Sequence, residues 1–383
     1  MSRRFIAAGA IAALAVPVVA HACSLCGGAM NKLTWRQGAA QAKLILYGTL
    51  ANPRLGDGNG GAAGTDLQIE HVIKSHPILA GRKSITLPRW LPVDPKSPPK
   101  FLVFCDVFND RLDPYLGTPV KSPAVVGYLT GAMAVETADR QGQLAYFTRY
   151  LDHADADVAG DAFLEFAKSN DADVARAAKT LDPARLRKLL SDPQTPAERL
   201  SLFAYLLGAC GGPADADFFG RLLQQPDERV QSAYGGILAG YVMLRPQDGW
   251  KLAYSILGDT SRKYPERAVV VSTLRFFHGT RPDSRREVLN GMSLVLPQGD
   301  MADMAIEDLR QWQWWDLTGE VLAQYGKKSH ASPLVRRSIV RYALVCPKPE
   351  AKQFVAAVRR ADPALVKDIE GSLQFEAPVA PGK

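Results

Sequence analysis

The sequence predicts an α+β, multidomain chain, with a small all-β module near its start followed by an all-α stack of helical hairpins. Three observations carry this. Between Lys43 and Asn109 the apolar residues fall in short runs rich in branched and aromatic types, the signature of strands. From Ser122 onward the pattern changes to that of amphipathic helices, one after another. Five helical starts also share one punctuation, a short polar residue followed by proline: Ser122-Pro123, Asp182-Pro183, Thr195-Pro196, Ser332-Pro333 and Asp362-Pro363. The polar side chain accepts from unpaired backbone N–H groups, and proline suits a first helical position whose N–H has no partner.

Taken in order, residues 1–22 read as a secretory signal. Arg3 and Arg4 form its basic start, FIAAGAIAALAVPVV its apolar run, and Ala20-His21-Ala22 a small-x-small cleavage site. The run is short of the roughly 20 residues that cross a bilayer, so no transmembrane span is expected. The mature chain is therefore expected to be exported, periplasmic or extracellular. A lipid anchor on Cys23 is the alternative, but His21 is out of place in the small-residue stretch that precedes a lipidated cysteine.

MNKLTWRQGAAQA reads as a helix, and four strands follow: KLILYGTL (43–50), DLQIEHVI (66–73), SITLPRWL (84–91) and FLVFCDVF (101–108). The glycine-rich LGDGNGGAAGT (55–65) joins the first two. A region of roughly 90 residues with four or five strands suits a small barrel or sandwich. Helices are expected at 123–135, 140–151, 155–169, 171–180, 183–190, 196–210, 214–224, 227–243, 247–257, 264–278, 283–295, 300–313, 315–325, 333–345, 350–360 and 363–373. In TPAERLSLFAYLLGACGG, Thr195 and Glu198 suggest a capping box, Leu200, Phe203, Ala204 and Leu207 one apolar stripe, and Gly211 the stop. The helices pair into units of roughly thirty to forty residues, each too apolar on one side to stand alone, so an α-solenoid is expected and an irregular bundle is the alternative. The expected domains are the signal 1–22, the β-module 23–118, the helical region 122–375 and an unstructured tail 376–383.

Hydrophobic residues make up 47% and charged residues 22%, which excludes a disordered chain. The net charge of +7 falls by two when Arg3 and Arg4 leave, a mild excess that suits an anionic partner without requiring one. Five cysteines are too few for a disulfide scaffold and enough for one or two bridges.

Two stretches resemble known families. AKLILYGTL, TDLQIEHVIKSHPILAGRKSITLPR and KFLVFCDVF together resemble the netrin-like or TIMP-like module, an OB-type β-barrel, over about residues 23–118. His71-Val72-Ile73-Lys74 matches the family's strand that ends in Val-hydrophobic-Lys. The family pairs cysteines at its very start with later ones in the barrel, so the resemblance implies that Cys23 or Cys26 bridges Cys105; this chain has Cys-x-x-Cys where the family shows Cys-x-Cys. VAGDAFLEFAKSNDADVARAA, DLRQWQWWDLTGEVLAQY and PLVRRSIVRYALVCPKPEAKQFVAAVRRADPALV are similar to the HEAT-like helical part of secreted bacterial proteins, which implies architecture rather than chemistry.

Candidate chemistry begins at Cys23 and Cys26. Haem attachment requires a histidine after the second cysteine, where Gly27 stands. A thioredoxin-type dithiol requires a preceding strand, which a freshly cut terminus lacks. Zinc would need Cys105 and His71 to complete four ligands. Cys210 and Cys346, near helix ends in apolar surroundings, are expected to be buried thiols. DHADADVAGDAFLE fails as an EF-hand because Ala159 and Phe166 occupy ligand positions. Asp155 and Asp157 are expected to favour a helix N-terminus, and Asp161 and Glu165 an exposed face.

Trp312, Trp314 and Trp315 in RQWQWWDL are expected to pack between helices, with Trp314, Leu317 and Val321 on one helical face and Trp315, Thr318 and Leu322 on another. A platform for a sugar ring is the alternative. The densest basic cluster is Arg262, Lys263, Arg267, Arg275, Arg281, Arg285 and Arg286, against only Glu266 and Asp283; along one edge it would attract an anionic partner, and dispersed it is a solvated face. No nucleic-acid motif accompanies it. The chain contains no His-Glu-x-x-His, Gly-x-Ser-x-Gly or Walker-type sequence. The expectation is an exported, non-catalytic binding or scaffold protein without cofactor or metal, whose helical surface engages a protein or cell-envelope polymer and no nucleic acid. The alternative is a periplasmic thiol-disulfide or metal-handling protein using Cys23 and Cys26.

Overall fold

The computed structural model describes residues 32–56, 62–136 and 139–376. The expectations for the signal 1–22, for Cys23 and Cys26 and for the tail beyond Glu376 lie outside the described residues. The chain is α+β: a five-stranded antiparallel sheet near the N-terminus, then helices to the end.

A short helix, α1 (Trp35–Gln41), opens with a capping box between Thr34 and Gln37. The strands are β1 (Leu44–Arg54), β2 (Gly64–Lys74), β3 (Ser84–Leu87), β4 (Lys100–Phe108) and β5 (Arg111–Val120), in the order β3-β2-β1-β4-β5. Every neighbouring pair is antiparallel. Sequence reading found the first four and missed β5, because Pro114, Gly117 and Pro119 look like turn residues. β5 lies at the sheet edge, where proline costs no ladder hydrogen bond on the open side. Asn109 and Asp110, at φ +49° and +55°, form the two-residue turn that joins β4 to β5, a geometry matched to strand twist.

Both sheet faces are covered. Leu44, Leu46, Leu50, Leu67, Ile85, Leu87, Phe101, Val103 and Cys105 build a core on one side. Ile45, Tyr47, Leu102 and Phe104 point the other way and join a core that continues through the helices. That is why LILY reads as an unbroken apolar run rather than an alternation: this part of β1 is buried on both faces. At Gly48 the strands approach so closely that a Cβ would fall 1.9 Å from the Gln68 carbonyl oxygen.

The helices that follow are α2 (Ala124–Ala134), α3 (Arg140–Thr148), α4 (Ala156–Ala167), α5 (Asp171–Ala178), α6 (Pro183–Ser191), α7 (Ala197–Cys210), α8 (Pro213–Leu222), α9 (Glu228–Ser232), α10 (Tyr234–Leu244), α11 (Pro246–Gly258), α12 (Tyr264–Thr280), α13 (Arg285–Val295), α14 (Ala302–Gln311), α15 (Thr318–Leu322), α16 (Pro333–Val345), α17 (Pro349–Ala361) and α18 (Pro363–Leu373). The segment expected as one helix over 227–243 is broken at Ala233, whose backbone leaves helical geometry at φ −100°, ψ 8°. Packing skips along the chain: α3 touches α5, α5 touches α7, α7 touches α10 and α10 touches α12, while α6 touches α8 and α11 touches α13.

The proline starts behave in two ways. Asp182 and Asp362 cap as expected, accepting from the N–H groups of Ala184 and Leu365. The Thr195 capping box does not form. Helix α7 begins one residue later, with extended Pro196 at the cap, and Thr195 is buried with its carbonyl accepting from Arg229 Nη1 at 3.0 Å.

The sheet is tied to the helices by buried polar groups, which corrects the expectation that Asp161 and Glu165 lie on an exposed face. They are only 5% and 1% exposed. Asp161 accepts from the Trp35 backbone N–H and the Tyr128 hydroxyl, each at 2.8 Å. Glu165 receives the Arg36 guanidinium at 3.2 and 3.0 Å. Lys74, the residue that ends the Val-hydrophobic-Lys strand, donates from Nζ to the Ala39 and Ala42 carbonyls at the C-terminus of α1, at 2.9 and 2.6 Å, where a cation meets the negative helix end.

Burial pushes the Asp161 carboxyl up to about 7, against the opposing pull of its two donors. A carboxyl raised in the folded state keeps its proton there while the unfolded chain has lost it. Its contribution to stability is therefore complete below about pH 4 and declines as pH rises to about 7. Asp161→Asn should flatten this part of the stability profile, seen as a wild-type-minus-variant difference in denaturation midpoint that shrinks from pH 4.5 to 7.5; a constant difference refutes it.

Candidate functional site

The two residue sets singled out in the sequence, tryptophans and basic residues, meet where α12, α13 and α14 come together. Helix α14 ends on Gln313, left-handed at φ +57°, and the Trp314 N–H closes back on the Leu309 carbonyl at 3.0 Å, the hydrogen bond of a Schellman stop. Trp314 and Trp315 thus sit on the irregular link before α15. The helical faces expected for Trp314 with Val321 and for Trp315 with Leu322 do not exist, because the stop removes the helix that would have made them.

All three tryptophans are half-buried. Trp312 stacks on His278 of α12, with centroids 3.9 Å apart and planes 10° from parallel. Trp314 meets both rings edge-on, at 4.9 Å from His278 and 5.2 Å from Trp312. The Arg285 guanidinium lies 4.1 Å over the Trp314 ring and pairs with Asp316 at 2.6 Å. Trp315 turns inward against Tyr342 of α16 at 5.0 Å. The result is a stack of cation, indole and imidazole with its edge in solvent, held by side chains of three helices.

The basic cluster divides. Arg267 is only 5% exposed, pairing with Asp300 at 2.5 Å and hydrogen-bonding to Gln298 and the Arg262 carbonyl. It is a buried strut and not a surface charge. Arg275 pairs with Asp308 at 2.8 Å, and Arg262 with Asp259 and Glu266 at 3.5 and 3.4 Å. Lys263, Arg281 and Arg286 are exposed and make no ion pair among the described residues. Helix α12 holds Lys263 at one end and Arg281 at the other, roughly 25 Å apart at 1.5 Å per residue. The cluster therefore leaves Lys263 exposed at one end of α12 and Arg281 and Arg286 at the other, where the α12–α13 turn adjoins the aromatic stack.

Beside Trp312 lies a cleft of about 630 Å³ between α12, α14 and α16. Arg275 contributes from α12, Asp303, Glu307 and Asp308 from α14, and Ser338 and Arg341 from α16. Burial raises the Asp308 carboxyl above its ordinary value, with Arg275 opposing. Burial also acts to raise Glu307, but hydrogen bonds from Arg310 and Gln311 prevail and leave it lowered. Sequence reading named Arg275 and Trp312 and missed the acidic residues. Their spacing along α14, at 303, 307, 308 and then Gln311, traces one helical face and was the available signal.

Cys105 is buried on β4, where desolvation and, secondarily, the Asp113 carboxylate push its thiol up to about 12. Cys346 is buried beside the Thr318 hydroxyl, 3.5 Å away, while Cys210 is half-buried with its thiol raised to about 11, chiefly by burial. Among the described residues none of the three is bridged, no His, Cys, Asp and Glu group is arranged to hold a metal ion, and no helix is long and apolar enough to cross a membrane. The chain matches no protein-family model, and no curated protein is significantly similar to it.

Arg267→Ala should lower stability by about 2–4 kcal/mol, because it leaves the buried Gln298 amide oxygen without its donor and empties the space of a buried side chain. Arg281→Ala should change it by less than about 0.5 kcal/mol. Urea midpoints of the two variants decide between a strut and a shared surface patch.

Proposed function

We propose that this chain is an exported, non-catalytic binding or scaffold protein, periplasmic or extracellular, that engages a protein or cell-envelope polymer through its helical region. The observation that carries this reading is the solvent-edged stack of Trp312, Trp314, His278 and Arg285 beside the exposed Arg281 and Arg286, which make no ion pair among the described residues. Tryptophan and arginine dominate binding energy at interfaces, and this group is pre-ordered by packing. In the same reading residues 1–22 are a cleaved signal, 23–118 a netrin-like OB-type barrel and 122–375 a HEAT-like solenoid. The skipping contacts of the helices support the solenoid. For the barrel, Leu87 of β3 and Pro114 and Leu116 of β5 line one cavity of about 180 Å³, so the two edge strands of the sheet curve toward each other.

Chemical crosslinking of the exported protein in intact envelopes, with Arg281→Glu/Arg286→Glu as comparison, tests the binding surface. The wild type should give a discrete crosslinked species that high salt and the double variant both remove. A species insensitive to both refutes the assignment. The reading also includes a bridge from Cys23 or Cys26 to Cys105, of about 80 residues' loop and a few kcal/mol. A non-reducing peptide map should leave Cys105 unalkylated in denatured exported protein; recovery of an alkylated Cys105 peptide ends that part.

A further inference from the structure

The cleft between α12, α14 and α16 carries polar groups that the fold does not use. Asp303 is half-buried and makes no hydrogen bond or ion pair among the described residues, and the hydroxyl of Ser338, a buried residue of α16 lining the same cleft, has no protein partner there either. Gln311 donates its amide N–H to Glu307 Oε1 at 2.9 Å, which leaves its carbonyl oxygen for another donor. Trp312 supplies an aromatic wall and is stacked on His278.

The charges of the lining narrow the ligand. Three carboxylates face two guanidinium groups, each with one acidic partner, Arg275 with Asp308 and Arg341 with Glu376, while the buried Arg341 Nε keeps an N–H without a partner among the described residues. The lining thus holds one carboxylate in excess, and Asp303, without an ion-pair partner among the described residues, repels a phosphate, sulfate or carboxylate. A lipid or other apolar ligand needs a predominantly apolar wall, and here only Met304, Trp312 and Leu334 supply apolar surface. A neutral polyol satisfies every constraint. Its hydroxyl groups both donate and accept, which suits a carboxylate, an amide oxygen and a hydroxyl together, while the C–H face of a pyranose ring with equatorial substituents is flat and apolar and lies against indole. The cleft, open along one side, also accommodates a chain of rings.

We propose that this cleft binds a neutral, β-linked, gluco-configured glycan, one ring stacked on Trp312 and its hydroxyl groups bonded to Asp303, Gln311 and Ser338. The proposal rests on the reading of the chain as an exported binding protein and names the ligand class of one of its surfaces.

Isothermal titration of the full chain with cellohexaose and with the fully N-acetylated chitin hexamer tests it, dextran sulfate serving as the polyanion. At least one of the two neutral hexamers should bind in the low-millimolar range or tighter and perturb indole fluorescence. Trp312→Ala and Asp303→Asn should each weaken that binding about tenfold or more. Trp312 also supports His278, so Asp303→Asn, which removes no bond within the protein, separates ligand contact from folding. Absence of binding by both hexamers to folded wild type, binding of dextran sulfate alone, or hexamer binding unchanged in Asp303→Asn overturns the proposal. If the crosslinked envelope species persists while neither hexamer binds, the glycan assignment falls and the binding-protein reading stands. Hexamer binding lost in Asp303→Asn, with no crosslinked species, supports the glycan site and removes the macromolecular partner.

Discussion

Helices α7 and α10 approach until their backbones touch, and the rest of the helical region is placed by that contact. A Cβ on Gly240 would lie 2.6 Å from the Ala204 carbonyl oxygen, and one on Gly236 would lie 2.5 Å from the Ser201 side chain. Small residues on both helices make this distance possible, and any larger side chain would force them apart. The opposite flank of α10 is equally close to α12: Thr273 donates to the Gly235 carbonyl at 2.9 Å. Tyr234-Gly-Gly-Ile-Leu-Ala-Gly is thus a helix pinned on two sides, and nearly all of it is buried. Its lack of a polar face follows from having no solvent to meet.

The aromatic stack inherits its geometry from this pin. With α12 fixed against α10, Arg275 and His278 project from α12 at a set height, and Asp308 and Trp312 of α14 are drawn onto them by an ion pair and a ring stack. The left-handed Gln313 then ends α14 so that Trp314 folds back over the same histidine. A surface built this way loses little side-chain entropy on binding, since its rotamers are already held. The acidic face of α14 stays open because α12 and α16 flank it without covering it.

At the other end of the molecule, charge rather than close backbone contact makes the joint. Asp161 and Glu165 enter an apolar helix interface only because Trp35, Tyr128 and Arg36 meet them there. An uncompensated carboxylate at that depth would cost several kcal/mol, so α1 and α4 must dock together. The sheet, whose helix-facing side carries Ile45, Tyr47, Leu102 and Phe104, shares one core with the helices in consequence.

Local chemistry made much of this legible beforehand. Strands β1 to β4 and most of the helices follow from apolar spacing, and the proline starts mark helix beginnings even where the side-chain cap is not made, because proline's fixed φ acts without a partner. The basic cluster and the tryptophans were also visible as residue types. What the chain could not declare locally was which charged groups find partners: Arg267, Asp161 and Glu165 read as surface residues, since ion pairs and hydrogen bonds join positions about thirty to 130 apart. β5 was hidden for the same reason, its prolines being tolerable only at an edge that pairing decides. The amino-acid order determined the elements, whose hydrogen bonds are largely local; tertiary packing alone decided burial, the division of the basic cluster and the meeting of Trp312 with Arg275, because these depend on distances the chain sets only when folded.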